Sequence, residues 1–147
     1  MAMFEHILVA VDGSEGSKKA LETAARLAAS TDAELLILTV YRHHSMTEAS
    51  MSMVRPNDPE NLDDVLRGYA KEVAEKAKAE AGERGATRVR AFVKNGQPAR
   101  TIVKFGEDHG ADLIVVGSRG MGDIEGFLLG SVSHKVTSLA RCPVMVV

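Results

Sequence analysis

Short aliphatic runs recur along the chain and define the predicted strands. Four runs are almost wholly aliphatic, as is typical of strands buried on both faces of a sheet, and they span residues 7–11, 35–40, 113–116 and 144–147. Residues 87–93 alternate apolar and polar side chains instead. That alternation predicts a fifth strand nearer the edge of the sheet.

Segments between these strands show the periodicity of amphipathic helices. The clearest spans residues 62–81, where apolar side chains recur every three or four positions at Leu62, Val65, Leu66, Tyr69, Val73, Ala77 and Ala81. Residues 98–109 open with a proline in the first helical turn, and residues 131–141 carry one apolar stripe. The alternation predicts an α/β fold, an open parallel five-stranded sheet with helices on both faces.

Residues 41–60 do not follow this pattern. They are polar, include Pro56 and Pro59, and show no convincing period, which predicts a long variable loop. The adjacent His43 and His44 do not predict a metal site, because neighbouring histidines rarely converge on one ion and no nearby cysteine completes a ligand set.

Size and charge narrow the functional classes. The 147 residues, 45% of them hydrophobic, fit one domain, residues 1–147, with a substantial core. A net charge of −2 with intermixed signs argues against nucleic-acid partners and anionic membranes. The apolar run near the N-terminus is too short for a signal peptide or a membrane span, and the single Cys142 is expected to be a packed core thiol. We therefore expect a cytoplasmic protein without membrane insertion.

Two loops at the carboxyl ends of predicted strands carry candidate binding chemistry, since ligands of open α/β sheets bind there. The first is residues 11–17, where Asp12 ends the strand and Gly13 allows a close turn. The second follows the fourth strand and contains glycines at 117, 120, 122, 126 and 130. It is much longer than the usual connection of about 2 to 6 residues.

The second loop has the groups of a phosphate cradle. Glycines let backbone N–H groups approach an anion, and the helix that starts near Ser131 directs its positive end toward the same place. The hydroxyls of Ser131 and Ser133 add donors. The alternative is that the glycines only make turns and that Ser131 only caps its helix. Neither the P-loop pattern nor G-x-G-x-x-G is present.

The glycine spacing carries a family resemblance. Gly117, Gly120 and the pair Gly130-Ser131 reproduce the G-x2-G-x9-G-[ST] pattern of the ATP-binding branch of the universal stress protein family. The segments HILVAVDGSEGSKKALETAARLA, ADLIVVGSRG and LLGSVSHKVTSLARCPVMVV also resemble that family. The resemblance implies an adenine nucleotide alpha hydrolase-like fold with strand order 3-2-1-4-5, which would bring the two loops together.

The resemblance also assigns binding roles. It implies that Ala10 and Asp12 face the nucleotide and that the backbone of Val40 holds adenine. The ribose and phosphates would contact Gly117, Ser118, Arg119, Gly120, Met121, Gly122 and Asp123, and the γ-phosphate side would be Gly130, Ser131, Val132 and Ser133. Where many relatives carry basic residues, this chain has Asp123 and Glu125, so Arg119 or a bound Mg²⁺ would have to compensate.

The sequence thus predicts an ATP-binding regulatory protein of stress response whose nucleotide state modulates a partner, such as a membrane transporter or a kinase. A nucleotide-free interaction module of the same fold and a slow ATPase are the alternatives; Asp12, Arg119 and His134 are the local candidates for hydrolysis. A receiver domain would need an aspartate at the end of the third strand, where Lys94 and Asn95 stand instead.

The last predicted strand suggests an assembly. The segment CPVMVV has no charge to protect an exposed sheet edge, and such an edge invites pairing with another chain. In the family the partner is the same strand of a second subunit. We therefore expect a homodimer through this strand, which can build higher oligomers.

Overall fold

The structure, a computed structural model, describes residues 3–42, 59–119 and 129–147. Strands and helices alternate along these residues in the order β1 (His6–Ala10), α1 (Glu15–Thr31), β2 (Glu34–Tyr41), α2 (Pro59–Glu83), β3 (Val89–Asn95), α3 (Pro98–Asp108), β4 (Leu113–Val116), α4 (Ser131–Leu139) and β5 (Val144–Val146). Each predicted strand is found within two residues of its expected ends.

The connection predicted over residues 41–60 is shorter at both ends. Tyr41 completes β2 and Pro59 opens α2. The remainder, with His43 and His44, lies outside the described residues. None of the described helices is both long and apolar enough to cross a membrane.

The five strands form one parallel sheet in the order β3-β2-β1-β4-β5. In the middle of the sheet Ile7 of β1 lies between Leu35 of β2 and Leu113 of β4. The expected fold class and strand order are confirmed. The alternating segment forms β3, one edge of the sheet, as its pattern predicted.

The core lies on both faces of the sheet because successive side chains of a strand point to opposite sides. Ile7, Val9 and Ile37 pack with α1 and α2, whereas Leu8 and Leu38 pack with α3 and α4. With helices covering each face, the central strands have no polar side. This is why their sequences are aliphatic runs.

Helix α2 packs through small residues, which differs from its predicted apolar face. Its buried positions are alanines, Ala70, Ala74, Ala77 and Ala81. Val65 and Tyr69 belong to the predicted stripe but are 63% and 56% exposed. Alanines let the helix approach the sheet closely, so the larger side chains lie at the margins of the contact. The predicted apolar stripe is therefore buried at Ala77 and Ala81 but exposed at Val65 and Tyr69.

Cys142 is half-buried beside β5 and packs at the margin of the α3 and α4 side of the core. Burial raises the pKa of its thiol. The expected core thiol is therefore only partly enclosed.

Candidate functional site

A cleft of about 210 Å³ opens beyond the carboxyl ends of β1, β2 and β4. It lies where the strand order reverses, because β1 pairs with β2 on one side and with β4 on the other. The predicted residues that line it are Ala10, Asp12, Val40, Gly117, Arg119, Ser131, Val132 and Ser133. Ser118 and Gly130 adjoin the cleft, because their carbonyls lie within hydrogen-bond distance of the hydroxyl of Ser133, which lines it. Four predicted residues lie outside the described residues: Gly120, Met121, Gly122 and Asp123.

The loop after β1 holds Asp12 at the cleft. A carboxylate oxygen of Asp12 accepts the backbone N–H of Ser14 (2.9 Å), and the Asp12 N–H donates to Ser17 Oγ (3.2 Å). Gly13 has φ +89°, which a residue with a side chain rarely adopts. Ser14 then caps α1 by accepting the N–H of Ser17 (3.2 Å). The same turn that begins α1 therefore fixes the carboxylate of Asp12.

The loops after β1 and β4 touch through their backbones. A Cβ on Gly117 would lie 2.7 Å from the carbonyl carbon and oxygen of Gly16. A Cβ on Gly16 would collide with the carbonyl oxygen of Arg119. The missing side chain of Gly117 makes room for Gly16, whereas the glycine pattern predicted room for an anion. Gly16 was not among the predicted site residues, although it lies in the segment HILVAVDGSEGSKKALETAARLA.

Helix α4 begins at the cleft without a side-chain cap. Gly130 is its N-cap residue, and Ser131 is the first helical residue and exposed. The alternative that Ser131 caps the helix is therefore wrong. The N–H groups of a first turn have no intrahelical acceptor, and the helix dipole places partial positive charge there. This end of the cleft is suited to an anion.

Ser118 connects the start of α4 to the residue that follows β5. Its carbonyl accepts the Gly130 N–H (2.6 Å) and the Ser133 hydroxyl (3.0 Å), and its own N–H donates to the carbonyl of Val147 (2.8 Å). Ser133 is only 2% exposed, and its hydroxyl also lies 3.1 Å from the Gly130 carbonyl. Its single proton is therefore engaged by backbone carbonyls. Ser133 thereby ties the first turn of α4 to the loop after β4, and its predicted contact with a ligand stays a prediction.

Cations and an apolar wall complete the cleft. Arg42 and Arg119 line it, together with Val40, Pro98 and Ile102. Arg42 was missed in the sequence, although it is the first residue after β2 and so stands at the carboxyl end of a strand. His134 is exposed on α4 and is not among the residues that line the cleft.

Comparison with known proteins agrees with this geometry. The model of the universal stress protein family matches residues 3–147. The universal stress protein YxiE of Bacillus subtilis is 42% identical over 149 residues, which cover 99% of each protein. Universal stress protein UspA from Lactobacillus plantarum has a similar structure, with a TM-score of 0.85, 25% identity and coverage of 100% of this chain and 99% of that one. A universal stress protein solved in complex with cAMP gives a TM-score of 0.72 at 28% identity, covering 100% and 98%. The chain belongs to the universal stress protein family.

Proposed function

We propose that the protein binds an adenine nucleotide, ATP, in this cleft and that its nucleotide state modulates contact with a partner protein. The observation that carries the proposal is the uncapped start of α4, which opens into a cleft with an aliphatic wall at the switch point of the sheet. A relative of 28% identity was solved in complex with cAMP, which supports an adenine nucleotide as the ligand class.

The phosphates would lie against α4. The backbone N–H groups of Ser131 and Val132 are in the first turn and can donate to phosphate oxygens. Arg119 and Arg42 supply positive charge within the same cleft. Asp12 would face the ribose or a Mg²⁺ ion on the phosphates, because its carboxylate is held at the cleft by the loop after β1. The donor set of the cleft thus fits a phosphorylated ligand.

The base would lie beyond the end of β1. Val11 donates to the carbonyl of Leu38 (3.0 Å), which is the last rung between β1 and β2 in the described residues. Val40 is two residues further along β2 and lines the cleft, so its backbone groups extend past the end of β1. Pro98 and Ile102 of α3 offer apolar contacts. A planar base that hydrogen-bonds along one edge suits these surroundings.

The proposal includes an assembly. β5 is an edge of the sheet and carries only apolar side chains. If a second copy of the chain paired with it through its own β5, the β5 edge of each subunit would be covered. We propose a homodimer of this form in the cytoplasm. The partner that reads the nucleotide state would be a transporter or a kinase.

The direct test is the nucleotide content of protein purified without added ligand. Denaturation followed by chromatography and mass spectrometry should release ATP in proportion to protein. An empty protein that also fails to bind ATP, ADP or AMP in calorimetry would overturn the proposal and favour the nucleotide-free interaction module.

A matched pair of variants locates the ligand. Ser131→Glu places a negative charge at the start of α4. Because this charge repels the phosphates, it should lower ATP affinity by roughly a hundredfold. The fold should be retained, since an acidic residue in a first helical turn stabilises the helix. Ser138→Glu adds the same charge to an exposed position of the last turn and should leave ATP affinity unchanged. Equal affinity in wild type and Ser131→Glu would contradict the assignment of the phosphates to α4.

A further inference from the structure

The edge strand β3 has one side of its backbone unpaired within the described residues. Leu35 of β2 donates to the Arg88 carbonyl (2.8 Å), which directs the backbone groups of the even-numbered residues of this strand toward β2. In a parallel ladder the alternate residues face the other way. The N–H and C=O groups of Val89, Ala91 and Val93 therefore point away from the sheet. Such a row of groups is a template for an added strand.

Two grooves flank this strand, and both are rich in cations. The groove toward α2 and the groove toward α3 share Lys94. Their lining contains the cations Arg67, Lys71, Lys94, Arg100 and Lys104 and the carboxylates Glu75 and Asp108. The chain as a whole has a net charge of −2. We call the outer side of β3 with these cations the β3 edge surface.

Some of these cations already have partners. Lys104 pairs with Asp108 (3.2 Å), and Arg67 donates to the Tyr41 hydroxyl (3.0 Å). Lys71, Lys94 and Arg100 form no side-chain ion pair or hydrogen bond in the part of the chain that the structure describes. They come from three different elements, α2, β3 and α3. Positive charge that is not neutralised therefore lies on the strand and on both flanks.

We propose that the β3 edge surface docks an acidic, extended segment of a partner protein, which adds to the sheet as a further strand beside β3. Backbone hydrogen bonds to residues 89, 91 and 93 would give the pairing, and carboxylates of the segment would lie against Lys71, Lys94 and Arg100. A second copy of β3 cannot take this place, because its own cations would be repelled. The proposal does not depend on nucleotide binding.

Protection of an exposed edge does not explain the whole arrangement. A lysine on an edge strand hinders unwanted pairing, and Lys94 alone would serve that purpose. Lys71 and Arg100 stand on helices, so they add nothing to the strand's own protection. Their convergence beside β3 produces two cationic walls around an open backbone, which is the chemistry that recognises an acidic strand.

A short capped peptide of Glu and Val tests the proposal against nucleotide-free protein labelled with ¹⁵N. Its glutamates stand in consecutive pairs, so that in an added strand carboxylates point to both faces of the sheet. Titration should shift the amide signals of Val89, Ala91 and Val93 and slow their hydrogen exchange. The double variant Lys71→Glu/Arg100→Glu should weaken peptide binding by roughly tenfold or more, because attractions become repulsions. The control Arg26→Glu reverses a charge on the exposed side of α1 and should bind as wild type does.

Two modified peptides separate strand addition from charge alone. A peptide with Lys in place of Glu should not bind. A second modified peptide keeps the Glu/Val sequence but is methylated on alternate backbone nitrogens, on the side that faces β3. It keeps its charge but loses the N–H donors for strand pairing, so it should also fail to bind. Equal binding of the methylated peptide would overturn strand addition, and absence of binding by the unmodified peptide would overturn the docking surface.

Discussion

Within the described residues, both edges of the sheet leave one side of their backbone unpaired, but their side-chain chemistry is opposite. β3 carries Arg90 and Lys94, both exposed, whereas β5 consists of Val144, Met145 and Val146, all half-buried. Pairing of identical strands about a two-fold axis brings like residues together, so a charged edge repels its own copy and an aliphatic edge does not. In the two proposed assemblies, charge on the edge strand is therefore the feature that separates pairing with a second copy from pairing with a different protein.

We expect the largest effect on self-association from a charge placed in β5. Met145 lies opposite Val115 in the sheet and packs beside the α1 side of the core. In the proposed dimer, Met145→Lys would bury an unpaired ammonium group, which should raise the dimer dissociation constant by roughly a hundredfold. Light scattering over a dilution series measures the change in mass.

The control for this variant is Ser30→Lys, which adds the same charge at an exposed position of α1 away from both edges. It should remain as dimeric as the wild type. A wild-type protein that is monomeric at micromolar concentration would show that β5 is not the subunit interface.

A smaller effect is expected when β3 is made similar to β5. The double variant Arg90→Val/Lys94→Val removes both charges from the strand and leaves an aliphatic edge, so copies should associate through β3 in addition to β5. Light scattering should then show species larger than the dimer that grow with concentration. Lys19→Val/Lys78→Val, with both changes on exposed helix positions, is the control. A double β3 variant of unchanged mass would mean that these charges do not govern pairing at this edge.

One edge was readable from the sequence because side-chain alternation reports how many faces of a strand are covered. Residues 87–93 alternate and become the edge strand β3, and three of the aliphatic runs become the central strands β1, β2 and β4. The fourth aliphatic run becomes β5, an edge strand with half-buried side chains, so its pattern did not distinguish it from a central strand. The face of α2 was not readable in the same way. Its contact with the sheet depends on the small size of Ala74 and Ala77, and a hydrophobicity pattern ranks Tyr69 above them.

The candidate site was partly readable for a related reason. The cleft lies beyond the carboxyl ends of the strands, where the sequence placed its two candidate loops, and Asp12, Val40 and Ser131 line it. Their contact with a ligand stays a prediction. The role of Gly16 depends on how closely two loops pack, which no local pattern records. The use of the Ser133 hydroxyl likewise depends on a carbonyl fifteen residues away in the chain. Such long-range backbone contacts appear only when the fold is known.

The smallest effect concerns the one cation of β3 that a neighbouring strand already neutralises. Arg90 pairs with Glu34 of β2 at 2.8 Å, with side chains 53% and 20% exposed. Because the pair is partly solvated, Glu34→Gln should lower the free energy of unfolding by only about 0.5 kcal/mol in urea titrations. The same change frees Arg90, so the affinity of the Glu/Val peptide should rise about twofold. Glu22→Gln breaks the comparable pair with Arg84 (3.4 Å), which joins α1 to the residue after α2 and lines neither groove of the β3 edge surface. It should cost similar stability without changing peptide affinity. Equal peptide affinities in the two variants would show that Arg90 does not contact the acidic strand. The attraction would then come from Lys94 and from the cations of the flanking helices.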